Sequence, residues 1–169
     1  SDEHLVDVVA QSGTRAALID RHEVEQAYII RKALEMESAA QAALLMTQAD
    51  GERLSDIVQQ HARALARQDY DEAISIDDMF HRTISDISNL PRLWHTVEIS
   101  KAQLDRCRRM MVPLVGEGEI TLEHHRQIVS TLMSKDPDQA RIAMGAHLDV
   151  AYENAIKVLA SDVKENSAA

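Results

Sequence analysis

Ile74-Ser-Ile-Asp77-Asp-Met-Phe-His81 carries apolar residues at helical spacing and, beside them, a carboxylate and an imidazole one turn apart. At about 100° per residue, Ala73, Ile76, Phe80, Ile84 and Ile87 form a stripe that a helix would bury. Asp77 and His81 fall between that stripe and Ile74, whereas Asp78 lies with Ser75 and Arg82 on the polar side. The helix therefore turns Asp77, not Asp78, inward. An acid and an imidazole at i, i+4 can grip one metal ion from within a helical bundle.

The same helical period extends on both sides. Asp20 reads as the N-cap of a first helix to about Thr47, with Asp50-Gly51 as its stop. Ile29, Ala33, Met36, Ala40 and Ala43 make one stripe of it, and Ala27, Leu34, Ser38 and Leu45 another, so it should lie centrally. A second helix covers about 51–67 and the third 70–88. Pro91 opens a fourth, expected to run unbroken to Val112, where Pro113 and Gly116-Glu-Gly118 end it. The fifth spans about 120–134, and Pro137 starts a sixth to about Val163. Short connections make neighbours antiparallel, so residues 20–163 read as an all-α, antiparallel six-helix bundle with a tail, 164–169, that frays.

Residues 1–19 differ. Leu5-Val-Asp-Val-Val9 and Ala16-Ala-Leu-Ile19 flank Gln11-Ser-Gly-Thr14, the pattern of a short β-hairpin. A lone hairpin is marginal in water, so it should pack on something.

Composition agrees with helices. The 169 residues include five glycines and three prolines, and 45% are hydrophobic, enough for one sizeable core. The single Cys107 excludes an intramolecular disulfide and suits a cytoplasmic setting. No apolar run reaches the roughly 20 residues of a membrane helix. A formal net charge of −10 argues against this chain alone binding nucleic acid.

Two further histidines share the situation of His81. Leu122, Ile128, Val129 and Leu132 define the inner face of the fifth helix with His125 near its centre, and His124 is rotated toward the edge. On the sixth, Ala140, Ala143, Met144, Val150 and Ala151 surround His147. The remaining four, His4, His22, His61 and His95, read as surface or linker residues. One inward histidine is ordinarily a hydrogen-bonded core residue. Three on three helices, one of them paired with an acid, also make a ligand set for a divalent transition metal: Zn first, with Ni, Mn or Fe as alternatives. Arg31 and Arg108 border the same interior and suit a carboxylate, although an intrahelical Arg31–Glu35 pair would account for the former.

These residues also carry a resemblance. Ile30-Arg-Lys-Ala-Leu-Glu35, Asp77-Asp-Met-Phe-His81, Leu104-Asp-Arg-Cys-Arg-Arg109, and His125-Arg-Gln-Ile128 with Ala140 to Leu148, come in the order and spacing of the FCD effector-binding domain of GntR-family transcription regulators, the FadR-type branch. The match spans about residues 20–160. Ser88-Asn-Leu-Pro91 departs from the family's Ser-Gly-Asn-Pro, and His124 stands where a Glu is common. The resemblance implies a sensing domain, with metal ligands Asp77, His81, His125 and His147, a small organic acid as effector, and Arg31 and Arg108 as its contacts. It implies a homodimer, and DNA bound through a preceding winged helix-turn-helix domain whose wing would be the hairpin at 1–19. The chain would then be a piece that lacks the recognition helix. Two rivals stand beside it: a metal-dependent hydrolase or lyase acting on a small carboxylate, and a dimerisation module with purely structural histidines.

Overall fold

The computed structural model describes the backbone of residues 6–9, 13–16, 19–114 and 116–166, and the side chains of 19–114 and 116–160. Two short strands come first, β1 (Val6–Val9) and β2 (Gly13–Ala16), paired antiparallel with Val6 opposite Ala16 and Val9 opposite Gly13. Gln11, Ser12 and His4 lie outside the described residues. Seven helices then make an all-α body: α1 (Arg21–Leu45), α2 (Gln48–Ala66), α3 (Tyr70–Ile87), α4 (Pro91–Ser100), α5 (Ala102–Met111), α6 (Glu117–Met133) and α7 (Pro137–Asn166). The long α1 packs chiefly along α7, α2 lies against α3 and α6, and α5 closes one end against α1 and α7. The expected frayed tail is helical through Asn166, and residues 167–169 lie outside the described residues.

Three expectations are corrected. The fourth helix is two helices, because the chain breaks at Lys101. Ser100 turns its hydroxyl back onto the Val97 carbonyl at 2.9 Å, and the Lys101 ammonium is buried between Asp78 Oδ2 at 2.7 Å and Asp105 Oδ2 at 2.6 Å. The pair with Asp78 fixes the joint to α3, and the pair with Asp105 ties it to the first turn of α5.

Asp50-Gly51 is not a stop but the first turn of α2. Thr47 caps that helix with its hydroxyl on Asp50 N, while the Asp50 carboxylate takes Thr47 N in return, a reciprocal capping box. Gly51 packs closely on Met133: a Cβ there would stand 2.3 Å from Sδ, so the methionine side chain would have to move.

Third, of the stripe Ile29, Ala33, Met36, Ala40 and Ala43 the N-terminal end faces outward, Ile29 being 57% exposed, while Ala40 and Ala43 are buried. The buried face of α1 carries Val24, Ala27, Arg31, Glu35, Ser38 and Ala42 instead. Two opposite charges sit inside because they neutralise each other and meet further polar groups there. Expectations for α3, α6 and α7 hold: Phe80, Ile84, Ile128, Leu132, Ala140 and Met144 are at most 1% exposed.

The core has two apolar clusters. The larger joins α1, α2, α3, α6 and α7 through residues such as Ala39, Leu54, Phe80, Ile128 and Leu148. The smaller joins Val24, Ala27, Leu104, Cys107, Ala155 and Leu159. On α1 the seam between them falls at Arg31 and Glu35, and on α7 just beyond His147. The polar residues of interest occupy that seam.

Replacing Thr47 with Ala removes the cap and should lower the unfolding free energy by about 1 kcal/mol. Urea unfolding monitored by far-UV circular dichroism measures it; an unchanged midpoint would show that the capping box contributes nothing.

Candidate metal centre and its cavity

Asp77 and His81 come from α3, His125 from α6 and His147 from α7, each directed inward by the apolar period of its helix. All four are buried, and each offers a ligand atom within 4.8 Å of the other three. His147 Nε2 lies 3.3 Å from His81 Nε2, and His125 Nε2 lies 3.3 Å from Asp77 Oδ1.

His125 is wholly buried; its Nε2 meets Asp77 Oδ1 only as the 3.3 Å contact, outside hydrogen-bond geometry, and its Nδ1 has no hydrogen-bond partner among the described residues. An imidazole placed this way forfeits the solvation of two polar atoms. A divalent ion would use one of them. Three imidazoles and a carboxylate suit Zn, Ni, Mn or Fe. The two pairs at 3.3 Å already suit bonds of roughly 2.0–2.2 Å to one ion, whereas a pair near the 4.8 Å limit would have to draw together by about an ångström. The donor set fits.

Surrounding groups orient these four. Glu35 Oε2 stands 2.5 Å from His81 Nδ1, off the axis of a linear hydrogen bond but close enough to favour a proton there and leave Nε2 as the inward atom. Arg31 Nε holds the other Glu35 oxygen at 2.5 Å. Burial alone would raise the Glu35 pKa, but the charges of Arg31 and His81 bring it down to about 2. Burial opposes ionisation of Asp77 too; the Arg108 guanidinium, 2.5 Å from Oδ2, and a bond from His125 hold it well below the usual carboxylate range. Phe80 stacks on His125 at 4.0 Å between centroids, which fixes the ring plane.

An open cavity of about 740 Å³, its mouth included, adjoins the cluster. It is lined by Arg31 of α1, His61 and Leu65 of α2, Ile74 and Asp77 of α3, Leu104 and Arg108 of α5, one face of α6 from Glu117 to His124, and His147, Val150, Ala151 and Asn154 of α7. The sequence reading thus has all six chosen side chains at one place. Arg31 and Arg108, however, are already paired: Arg31 with Glu35, and Arg108 with Asp77, Asp78 at 2.8 Å and Asp105 at 3.0 Å.

Residues 26–150 match the family model described as the FCD domain. Over 154 residues the chain is 30% identical to the HTH-type transcriptional repressor RspR of Escherichia coli (strain K12), covering 91% of this chain and 68% of that protein. This chain belongs to the GntR-family regulators that carry an FCD domain. Solved structures agree in fold. E. coli McbR/YncC superposes with a TM-score of 0.77 at 18% identity, over 95% of this chain and 79% of that one. A GntR family member from Pseudomonas syringae pv. tomato gives 0.74 at 21% identity, over 98% and 68%. Family regulators bind DNA and a small effector, and in this FCD domain no described helix is long and apolar enough to cross a membrane.

Sequence reasoning on this FCD domain went astray at His61. Expected at the surface or in a linker, it is 4% exposed and lines the cavity. Leu54, Ile57, Val58, Ala64 and Leu65 share its stripe on α2, a signal that polar neighbours Gln59, Gln60 and Arg63 obscured. Asp78, placed on the polar side, is half-buried under Arg108 and Lys101. Glu35 is the other omission, visible only as the partner of Arg31.

Burial lowers the pKa of His125 to about 4 against the pull of Asp77, and lowers His147 well below its ordinary value, helped by the charge of His125. In metal-free protein the unfolded chain therefore takes up these protons below about pH 6.5, whereas the native one takes up that of His125 only near pH 4. Stability should fall from pH 6.5 toward 4, before the depressed carboxylates Asp77 and Glu35 contribute their own loss below about pH 4. Urea midpoints of chelator-dialysed protein from pH 7.5 to 4.5 test this. A flat profile for the wild type, or one as steep in His147→Gln, would contradict neutral burial of these rings.

Proposed function

We propose that this chain is the effector-sensing part of its regulator and binds a small organic acid at a divalent metal held by Asp77, His81, His125 and His147. The observation that carries this reading is the convergence of four buried donors from three helices, one of them an imidazole with no well-formed hydrogen bond at either nitrogen among the described residues. Zinc is the first choice of ion, with nickel, manganese or iron as alternatives.

When bound, such an ion supplies a Lewis-acidic point for a carboxylate oxygen. The chain's own residues prepare the site. Glu35 biases the tautomer of His81, Arg108 keeps Asp77 ionised, and Phe80 holds the plane of His125. Arg31 and Arg108 stand at the cavity wall and assist the effector's carboxylate from there, each at the cost of sharing charge with its present partners.

The protein works in the cytoplasm as a homodimer, and DNA is bound by a winged helix-turn-helix domain preceding residue 20, of which the strands at 6–9 and 13–16 are the wing. Effector binding acts by favouring one arrangement of the two subunits over another, to the extent of its differential affinity for them. The names of the relatives as transcriptional regulators favour this over a hydrolase or lyase.

His125→Ala and His147→Ala should each abolish stoichiometric metal in elemental analysis of purified protein; full metal content in both would overturn the ligand set. A panel of small organic acids should raise the melting temperature of metal-loaded protein and leave chelator-stripped protein unchanged. A ligand at about 100 times its Kd adds roughly 2.7 kcal/mol, well within detection. Equal shifts with and without metal would separate sensing from the metal, and turnover of an acid or ester would revive the enzyme.

A further inference from the structure

The cavity holds two imidazoles that the metal reading leaves unused. His61 is almost wholly buried and His124 half-buried; both line the cavity, from α2 and α6, and in each the buried Nδ1 has no hydrogen-bond partner among the described residues. His61 lies beside His125, with ring centroids 5.6 Å apart, and His124 beside His147 at 5.9 Å. They flank the metal cluster without being part of it. A buried nitrogen without a partner is costly unless a ligand atom pairs with it.

The charges nearby limit what that atom can be. Both cavity arginines are matched to carboxylates, Arg31 to Glu35 and Arg108 to three aspartates. The carboxylate of Glu117 lines the same cavity and is held there by the Asn154 amide. Much of the remaining wall is apolar, including Leu65, Ile74, Leu104, Met111, Ile120 and Val150. A ligand's second anionic group would meet an apolar wall, Glu117 and no uncommitted cation. A hydroxyl, carbonyl or amide would suit an imidazole nitrogen, which accepts or donates according to its tautomer.

We infer that His61 and His124 form a second, uncharged recognition point, and that the effector is a monocarboxylate with an apolar body and one neutral hydrogen-bonding group, not a di- or tricarboxylate. The inference deepens the metal-anchored reading and rests on it. Specificity of this kind comes as much from rejecting a second charge as from the added hydrogen bond.

The test uses unbranched acids of four to six carbons whose far end is a methyl, a hydroxyl or a second carboxylate, titrated calorimetrically into the zinc-loaded full chain. At the best length, the hydroxy acid should bind at least tenfold tighter than the dicarboxylate and severalfold tighter than the methyl acid. His61→Leu with His124→Leu should retain one zinc per chain and lose the preference for hydroxyl over methyl. A dicarboxylate that binds tightest, in a zinc-dependent way, overturns this inference and leaves the metal-anchored sensor standing. No zinc-dependent binding by any of the three classes overturns both. An unchanged hydroxyl preference in the double variant removes the two histidines from the assignment. Should that variant fail to fold, His61→Gln and His124→Gln singly carry the same comparison, and the wild-type series alone decides the question of charge.

Discussion

The Arg108–Asp77 ion pair is the constraint on which the interior depends. An isolated carboxylate under an aliphatic bundle would take up a proton and lose its value as a charged donor. Arg108 prevents this from α5, 31 residues further along the chain, at 2.5 Å from Oδ2. The guanidinium is in turn buried, and Asp78 and Asp105 make its own position tolerable. Asp77 on α3 and Arg108 on α5 thus justify each other's burial across two helices. Removing one member would leave its partners uncompensated, which costs more than the pair contributes.

That dependence explains the arrangement of helices. α5 presents Arg108 to α3 after the one-residue break at Lys101 that separates it from α4. Lys101 then ties the joint to Asp78, the neighbour of the residue that Arg108 holds. On α1 the pair Arg31–Glu35 replaces apolar side chains at the centre of the buried face and reaches His81 from the other side. The polar seam between the two apolar clusters therefore has its own internal bonding.

Much of this was legible in the sequence. The helical period around Ala73, Ile76, Phe80 and Ile84 placed Asp77 inward and Asp78 aside, and the same reasoning chose His125 over His124. It worked because apolar stripes fix which face is buried. The break at Lys101 was hidden because Val97 and Leu104 are seven residues apart and the stripe keeps its phase across the joint. The buried face of α1 was misplaced because period alone ranks Ile29 above Arg31, and only the partner carboxylates reverse that order. His61 lay on a readable stripe, but exposed Gln59 and Gln60 before it and Arg63 after it masked it. Spacing reveals faces; it does not reveal which charges will find partners on other helices.

One consequence of the ion-pair network concerns electroneutrality. Around the four donors, three cations, Arg31, Lys101 and Arg108, stand against four carboxylates, Glu35, Asp77, Asp78 and Asp105. With neutral imidazoles the enclosed region is left with a single excess negative charge. A divalent cation would convert that to a single excess positive charge, and one anion would cancel it. Among these seven charges alone a dication followed by a monoanion would leave no net charge; Glu117 on the cavity wall stands outside that balance.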